Sequence, residues 1–257
     1  EVIKIQTCLF CGKVLSKEQI AKKNKTCSRY CAFRLKKYEH QQKEPNFFLM
    51  KDINTLFYLI GLLFTDGNLD SCKKRITLSL TEKNVIYMLF PYFSSNDKKI
   101  YEYQPKSENA NIIYTIINES TEAINILTNK YDFEPCNSVT KKMPNIPDEY
   151  FGDFLRGVFD GDGCVYISNK ARGKKYLAIS ITCASQDFIY SLRGKLENLG
   201  FHPTIVIDSR RKEQKIKTYY LKLNRQQEIK NFYNLIYKNA TIKNQTKYRK
   251  FYYEDIV

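Results

Sequence analysis

The sequence predicts an α+β fold: two pseudo-symmetric αββαββα repeats behind a small N-terminal cysteine module. Three observations predict it. A nine-residue pattern occurs twice, as LIGLLFTDG at 59–67 and LRGVFDGDG at 155–163, with the closing aspartates Asp66 and Asp162 96 residues apart. The same order of helical and strand-like segments follows each copy. Ahead of both, four cysteines fall in two close pairs, Cys8 with Cys11 and Cys27 with Cys31.

Taken in order, residues 1–45 read as the cysteine module and a polar connector (KKYEHQQKEP, 36–45), residues 46–148 as the first repeat and residues 149–257 as the second. In the first repeat an apolar helix ends in an Asp66-Gly67 turn. Short strands follow near 68–71 and 75–80, then a helix over 82–93, a hairpin from 99–103 and 112–117, and a helix over 120–130. The second copy runs from a helix over 150–159 through a turn at Asp162-Gly163, with strands at 164–168 and 176–183. A helix over 185–199, closed by Gly200, precedes strands at 204–208 and 218–223 around a basic tip, and a last helix spans 225–237.

Composition narrows the function. Forty-two Lys and Arg against 27 Asp and Glu give a formal charge of +15, which favours a polyanionic partner with salt-sensitive binding. Residues 1–51 are the most biased, with twelve basic side chains and four acidic. The longest apolar run, 56–64, covers nine positions, short of the roughly 18 that span a bilayer, so no membrane segment is expected. No export signal is visible at the start, which points to an intracellular protein and to cysteines that bind metal rather than form disulfides.

The repeated pattern carries chemistry. Gly61 with Thr65, and Gly157 with Gly161, are four apart and share a helical face, where a second backbone can approach closely. Glycine inside a helix costs up to about 1 kcal/mol against alanine, so its recurrence at corresponding places indicates packing of one helix on the other. Each helix ends on an aspartate, where the macrodipole is already negative, so a positive partner is required. Side by side, the helices would bring Asp66 and Asp162 together as a hard-oxygen site suited to Mg²⁺, able to support phosphodiester hydrolysis.

These two segments resemble the signature motifs of the LAGLIDADG homing endonucleases. The resemblance covers 54–257 and includes PNIPDEY at 144–150, similar to the family's lead-in to its second motif. It implies a monomer whose motif helices form the interface between halves, with two curved sheets making a saddle over a long double-stranded DNA target. It also implies metal-bound acids, here Asp66 and Asp162, that cut both strands across the minor groove. Two departures stand out. Phe64 takes the place of an earlier motif acid that the second copy keeps as Asp160. The basic residue that the family supplies near each centre is matched by Lys247, whereas the first repeat has Asn137 there. Unequal centres are therefore expected, with Lys141 or Lys142 as a substitute in the first and nicking before double-strand cleavage.

In the N-terminal module, a C-x2-C pair, a fifteen-residue gap and a C-x3-C pair suit a closed tetrahedral Zn²⁺ site of Cys8, Cys11, Cys27 and Cys31, which would staple a segment too small for its own core. The module is loosely similar to treble-clef or FCS-like fingers on mobile-intron nucleases, and its basic and aromatic residues suggest a clamp on the DNA backbone. Cys72, Cys136, Cys164 and Cys183 read as small apolar side chains.

Basic residues on or beside the hairpins are expected to contact DNA, namely Arg75, Lys99, Arg172, Lys174, Arg210, Arg211 and Lys217, together with neighbours that include Lys98. Tyr101, Tyr103, Tyr166, Tyr219 and Tyr220 are interleaved with them. The competing readings are an intron maturase, which would bind RNA, a non-cleaving DNA-binding protein on the same fold, and a zinc-finger interaction module on an unrelated α+β domain. Two carboxylates facing a polyanion would serve a pure binder poorly, which favours the nuclease.

Overall fold

A computed structural model of the chain describes residues 6–70, 72, 74–95, 97–107, 109–135, 138–169, 175–208 and 216–252. The N-terminal module contains a bridge between Thr7 and Val14, a short helix α1 (Lys17–Ala21) and a longer α2 (Arg29–Lys43). Reciprocal capping starts α1: the Ser16 side chain accepts from the Gln19 N–H, and the Gln19 side chain accepts from the Ser16 N–H.

The stretch expected to be a connector instead continues α2 to Lys43. Its Lys, Gln and Glu residues are good helix formers, and Pro45 bars extension. Just beyond, buried Glu44 accepts from the N–H and Oγ of Ser95 and pairs with Lys98 at 2.6 Å. The buried Asn118 side chain donates to the carbonyls of Pro45 and Phe93. The helix therefore meets the first repeat at a docked corner.

The first repeat comprises α3 (Ile53–Asp66), β1 (Gly67–Asp70), β2 (Arg75–Leu80), α4 (Lys83–Phe93), β3 (Tyr101–Tyr103), β4 (Ile113–Asn118) and α5 (Thr121–Tyr131). The same order recurs in α6 (Phe151–Asp162), β5 (Gly163–Asn169), β6 (Lys175–Cys183), α7 (Gln186–Asn198), β7 (Thr204–Ile207), β8 (Tyr219–Leu223) and α8 (Gln226–Tyr237), and α9 (Gln245–Lys250) follows. Side-chain caps from Asp52, Ser120, Ser185 and Asn244 fix where α3, α5, α7 and α9 begin. Gly200, at φ +83°, sits just past α7 in the left-handed conformation its expected capping place requires.

Each repeat forms a four-stranded antiparallel sheet, ordered β1-β2-β4-β3 and β5-β6-β8-β7. Along β2 and β4 burial alternates, so Ile76, Leu78, Tyr114 and Ile116 face α4 and α5 while Thr77, Ser79, Thr115 and Ile117 face outward. In the second sheet Leu177, Ile179, Ile181 and Leu221 face inward. One contiguous apolar core runs through both repeats, and α3 and α6 lie at its centre. No helix among the described residues is long and apolar enough to cross a membrane.

The expected Asp-Gly turns are absent. Each helix passes straight into a strand, with Gly67 at φ −76° and Gly163 at φ −83°, both extended. The glycines serve close approach, because a Cβ would lie 2.3 Å from the Leu63 carbonyl oxygen at Gly67 and 2.3 Å from the Phe159 ring at Gly163.

Candidate active site and its two lysines

The site begins with the contact of α3 and α6. A Cβ on Gly61 would meet the Phe154 carbonyl oxygen at 2.2 Å, and one on Gly157 would meet the Tyr58 carbonyl oxygen at 2.2 Å. Backbone therefore rests on backbone, as the paired glycines imply. Lower down, a Cβ on Gly161 would fall 2.0 Å from Thr65 Oγ1 and 2.3 Å from Asp66 Oδ2. Asp162, the next residue, is thereby brought beside Asp66 at the foot of the helix pair.

Both carboxyls bear the strain of this placement. Burial pushes the Asp66 pKa up, against the Thr65 hydroxyl bond and the charges of Lys247 and Lys141, which lower it. Burial raises Asp162 to about 6, with Asp66 pushing the same way and Lys141 and Lys247 opposing. Two half-buried acids whose ionised forms are penalised, one of them by the other, make a donor set that fits a hard divalent cation.

Each helix end is also met by a lysine. Lys247 Nζ donates to the carbonyls of Phe159, Asp160 and Gly161 at 3.0, 2.6 and 2.7 Å, closing the C-terminus of α6. Burial lowers its pKa, against the pull of Asp160, Asp66 and Asp162. Lys141 Nζ donates to the Phe64 carbonyl at 2.9 Å, closing α3. The positive partner that the macrodipole demands is thus present at both ends. Asn137 lies outside the described residues, and Lys141, not Lys142, reaches the first helix. Its own carbonyl accepts from Ser185 Oγ at 2.6 Å.

Around these groups the two sides differ. Asp160 is buried, accepting from the Tyr58 hydroxyl at 2.9 Å, the Asn244 N–H at 2.7 Å and the Tyr237 hydroxyl. A cavity of about 410 Å³ lies beside it, lined by Asp66, Lys247, Glu82 and Val85 among others. Phe64, at the matching place in α3, packs its ring 4.7 Å from that of Phe188. Lys141 Nζ sits over both rings, at 4.8 and 5.8 Å from their centroids.

In the N-terminal module the thiols of Cys8, Cys11, Cys27 and Cys31 all lie within 4.8 Å of one another, and all four are free. Sγ separations of 3.5, 3.5 and 3.8 Å are near the roughly 3.8 Å edge of a tetrahedron built with ~2.3 Å metal–sulfur bonds. Burial raises the Cys8 thiol, but backbone hydrogen bonds from Cys11, Cys27 and Phe10 outweigh it and bring the pKa to about 6. Such a cluster is suited to a thiophilic cation.

Of the residues expected to touch DNA, Arg75 shares the outward face of the first sheet with Thr77, and Lys99 lies over the exposed Tyr101 ring at 5.5 Å. Lys217 is exposed just before β8. Arg172, Lys174, Arg210 and Arg211 lie outside the described residues.

Two readings need correction. Lys98 is half-buried and ion-paired with Glu44 and Glu119, and Tyr219 is buried on the inner face, donating to Gln186. The residues that sequence reasoning missed are Lys222, which shares the outward face with Tyr220, and the Tyr58–Asp160–Tyr237 cluster. Strand alternation was the available signal for Lys222. The cluster joins residues 102 and 77 positions apart, which no local pattern encodes.

Residues 150–237, from just before α6 through α8, match a family model described as LAGLIDADG-like domain. No curated protein sequence matches the chain. Among solved structures it is similar to the N-terminal LAGLIDADG domain of DUF199/WhiA, with 18% identity over 82% of this chain and 94% of that one and a TM-score of 0.48. It is also similar to I-DmoI in complex with DNA and Ca (15% identity, 74% and 92% covered, TM-score 0.47). A third is the LAGLIDADG meganuclease I-AabMI bound to uncleaved DNA (13%, 74% and 86%, TM-score 0.45).

Proposed function

We propose that this chain, whose residues 150–237 form a LAGLIDADG-like domain, is a metal-dependent, site-specific endonuclease of double-stranded DNA that works as a monomer. The observation that carries this reading is the meeting of Asp66 and Asp162 at the foot of two helices in backbone contact, with a lysine closing each helix end. A binder of a polyanion gains nothing from two carboxylates held together against their own repulsion. A hydrolase gains a cradle for divalent cations.

Asp66 and Asp162 would hold Mg²⁺, which when bound activates water and stabilises a leaving oxygen. The chain's own groups do the rest. Lys247 and Lys141 keep positive charge beside the carboxylates, where negative charge grows as a phosphodiester is cleaved. The outward faces of the sheets, with Arg75, Lys99, Tyr101, Tyr220 and Lys222, offer phosphate and base contacts, and we extend this role to Lys217, Arg172, Lys174, Arg210 and Arg211.

Cys8, Cys11, Cys27 and Cys31 would hold Zn²⁺, and α2 would lay Arg29, Arg34 and Lys36, all exposed, along the flanking backbone. A strong thiol-directed chelator is then expected to melt the module while the cooperative transition of the repeats persists, a difference that calorimetry resolves.

The test is selection of cleaved molecules from a long randomised duplex library in Mg²⁺. A discrete cut sequence is expected, lost in Asp66→Asn and Asp162→Asn while gel-shift binding persists. Binding of a discrete sequence without cleavage in Mg²⁺ or Mn²⁺ would leave the chain a DNA-binding protein instead.

A further inference from the structure

The two lysines are aimed by different means. Asp160 acts along a chain of contacts: its carboxylate accepts from the Asn244 N–H at 2.7 Å, and the Asn244 side chain, as the cap of α9, accepts from the Lys247 N–H at 2.9 Å. Lys247 then reaches back one to three residues short of Asp162. The buried acid thus fixes the start of the helix that delivers the lysine.

Phe64 acts directly. Its carbonyl accepts the Lys141 ammonium at 2.9 Å, and its ring lies beneath the same ammonium at 4.8 Å. Phe188 adds a second ring, and Ser185 holds the Lys141 backbone. A desolvated cation over aromatic faces is a strong contact that an aliphatic side chain of similar bulk does not reproduce.

We propose that Asp160 and Phe64, equivalent positions of the paired helices, are positioning residues that each set the lysine of one centre, so that cutting of the two DNA strands is under separate control. The strand-cutting half rests on the endonuclease reading, and the lysine-aiming half stands on the contacts alone.

Two measurements on the full chain test it. The first is amine acylation by an N-hydroxysuccinimide ester, read at Lys141 and Lys247 by mass spectrometry. Phe64→Leu is expected to raise modification of Lys141 by about thirtyfold, the factor a desolvated cation–π contact supplies, and to leave Lys247 unchanged. Phe64→Tyr, which keeps the ring, restores protection. Asp160→Asn does the reverse, exposing Lys247 alone. Should Asp160→Asn fail to fold, Asn244→Ala breaks the same link one contact later.

The second is cleavage of the library-selected duplex with each strand separately labelled. Phe64→Leu should slow one strand and Asp160→Asn the other, with duplex affinity unchanged. Equal changes at both lysines, Phe64→Leu behaving as Phe64→Tyr, or both strands slowing together would each overturn the proposal. If the wild-type chain cuts no duplex, the endonuclease reading fails and takes the strand-control half with it, while the acylation pattern still decides whether these side chains aim the lysines.

Discussion

The two repeats share their backbone plan and differ in how each treats the end of its central helix. In the second, a buried carboxylate gathers two tyrosine hydroxyls and a backbone N–H, and a cavity opens beside it. In the first, two phenylalanine rings fill the corresponding place and a lysine is clamped against them. Both arrangements put an ammonium on the negative end of a helix. What is held constant is the electrostatic requirement, and the packing that meets it is free to diverge.

The sharpest way to break this comparison is to remove one acid at a time. Asp66→Asn and Asp162→Asn should each lower cleavage by at least about 10³-fold, a loss on the scale of removing a principal transition-state contact. A single-turnover assay in which one substitution is tolerated would show that the centres do not share their cations.

The same variants should separate in stability without metal. The folded pKa of Asp162 is raised to about 6, so its contribution is favourable below about pH 4, the ordinary carboxylate range, and is lost as pH rises through about 6. Asp162→Asn should therefore stabilise the metal-free protein at pH 7 by up to about 3 kcal/mol and have little effect at pH 4, by denaturant titration. For the same reason, Mg²⁺ affinity should weaken about tenfold for each pH unit below 6, because a proton must leave before the cation binds. A flat affinity profile between pH 5 and 7 would contradict the burial assigned to this acid.

The helix contact is where the repeats are most alike. Gly61→Ala and Gly157→Ala each drive a methyl to 2.2 Å from a carbonyl oxygen of the facing helix. Each should lose about 3 kcal/mol, a fall of roughly 6–12 °C in Tm for a chain of this size. A loss at only one of them would mean that the two sides of the contact are not equally rigid.

A smaller test lies in α7. Gly194 has nothing within 4 Å of its missing Cβ, so Gly194→Ala should stabilise by about 0.5–1 kcal/mol. A fall in Tm instead would point to a partner on that face of the helix.

Much of the architecture was legible because it is locally encoded. Alternating burial marks the strands, Ser and Asp caps mark helix starts, and the glycines of the two central helices announce close approach. Of the candidate site, the meeting of Asp66, Asp162 and Lys247 was legible in the repeated motif and the segment after the last helix. Lys141 was harder, because the atom it binds is a carbonyl 77 residues away, and position after the last helix of a repeat does not distinguish it from Lys142 or Asn137. Lys98 misled for a related reason, since a lysine beside a hairpin gives no sign that Glu44 and Glu119 will draw it inside. The Asp-Gly pairs have the composition of turns, yet each glycine is needed for the tight passage of a strand off the helix that precedes it.

The glycine contact also sets a dimension. Where two helices touch through side chains, their spacing follows whichever rotamers and residues happen to lie between them. Here main chain abuts main chain, and Asp has the shortest side chain that carries a carboxylate. The gauge between the two acids is consequently a property of the peptide backbone itself, and substitutions elsewhere in either half can remodel the outward sheet faces without altering that gauge.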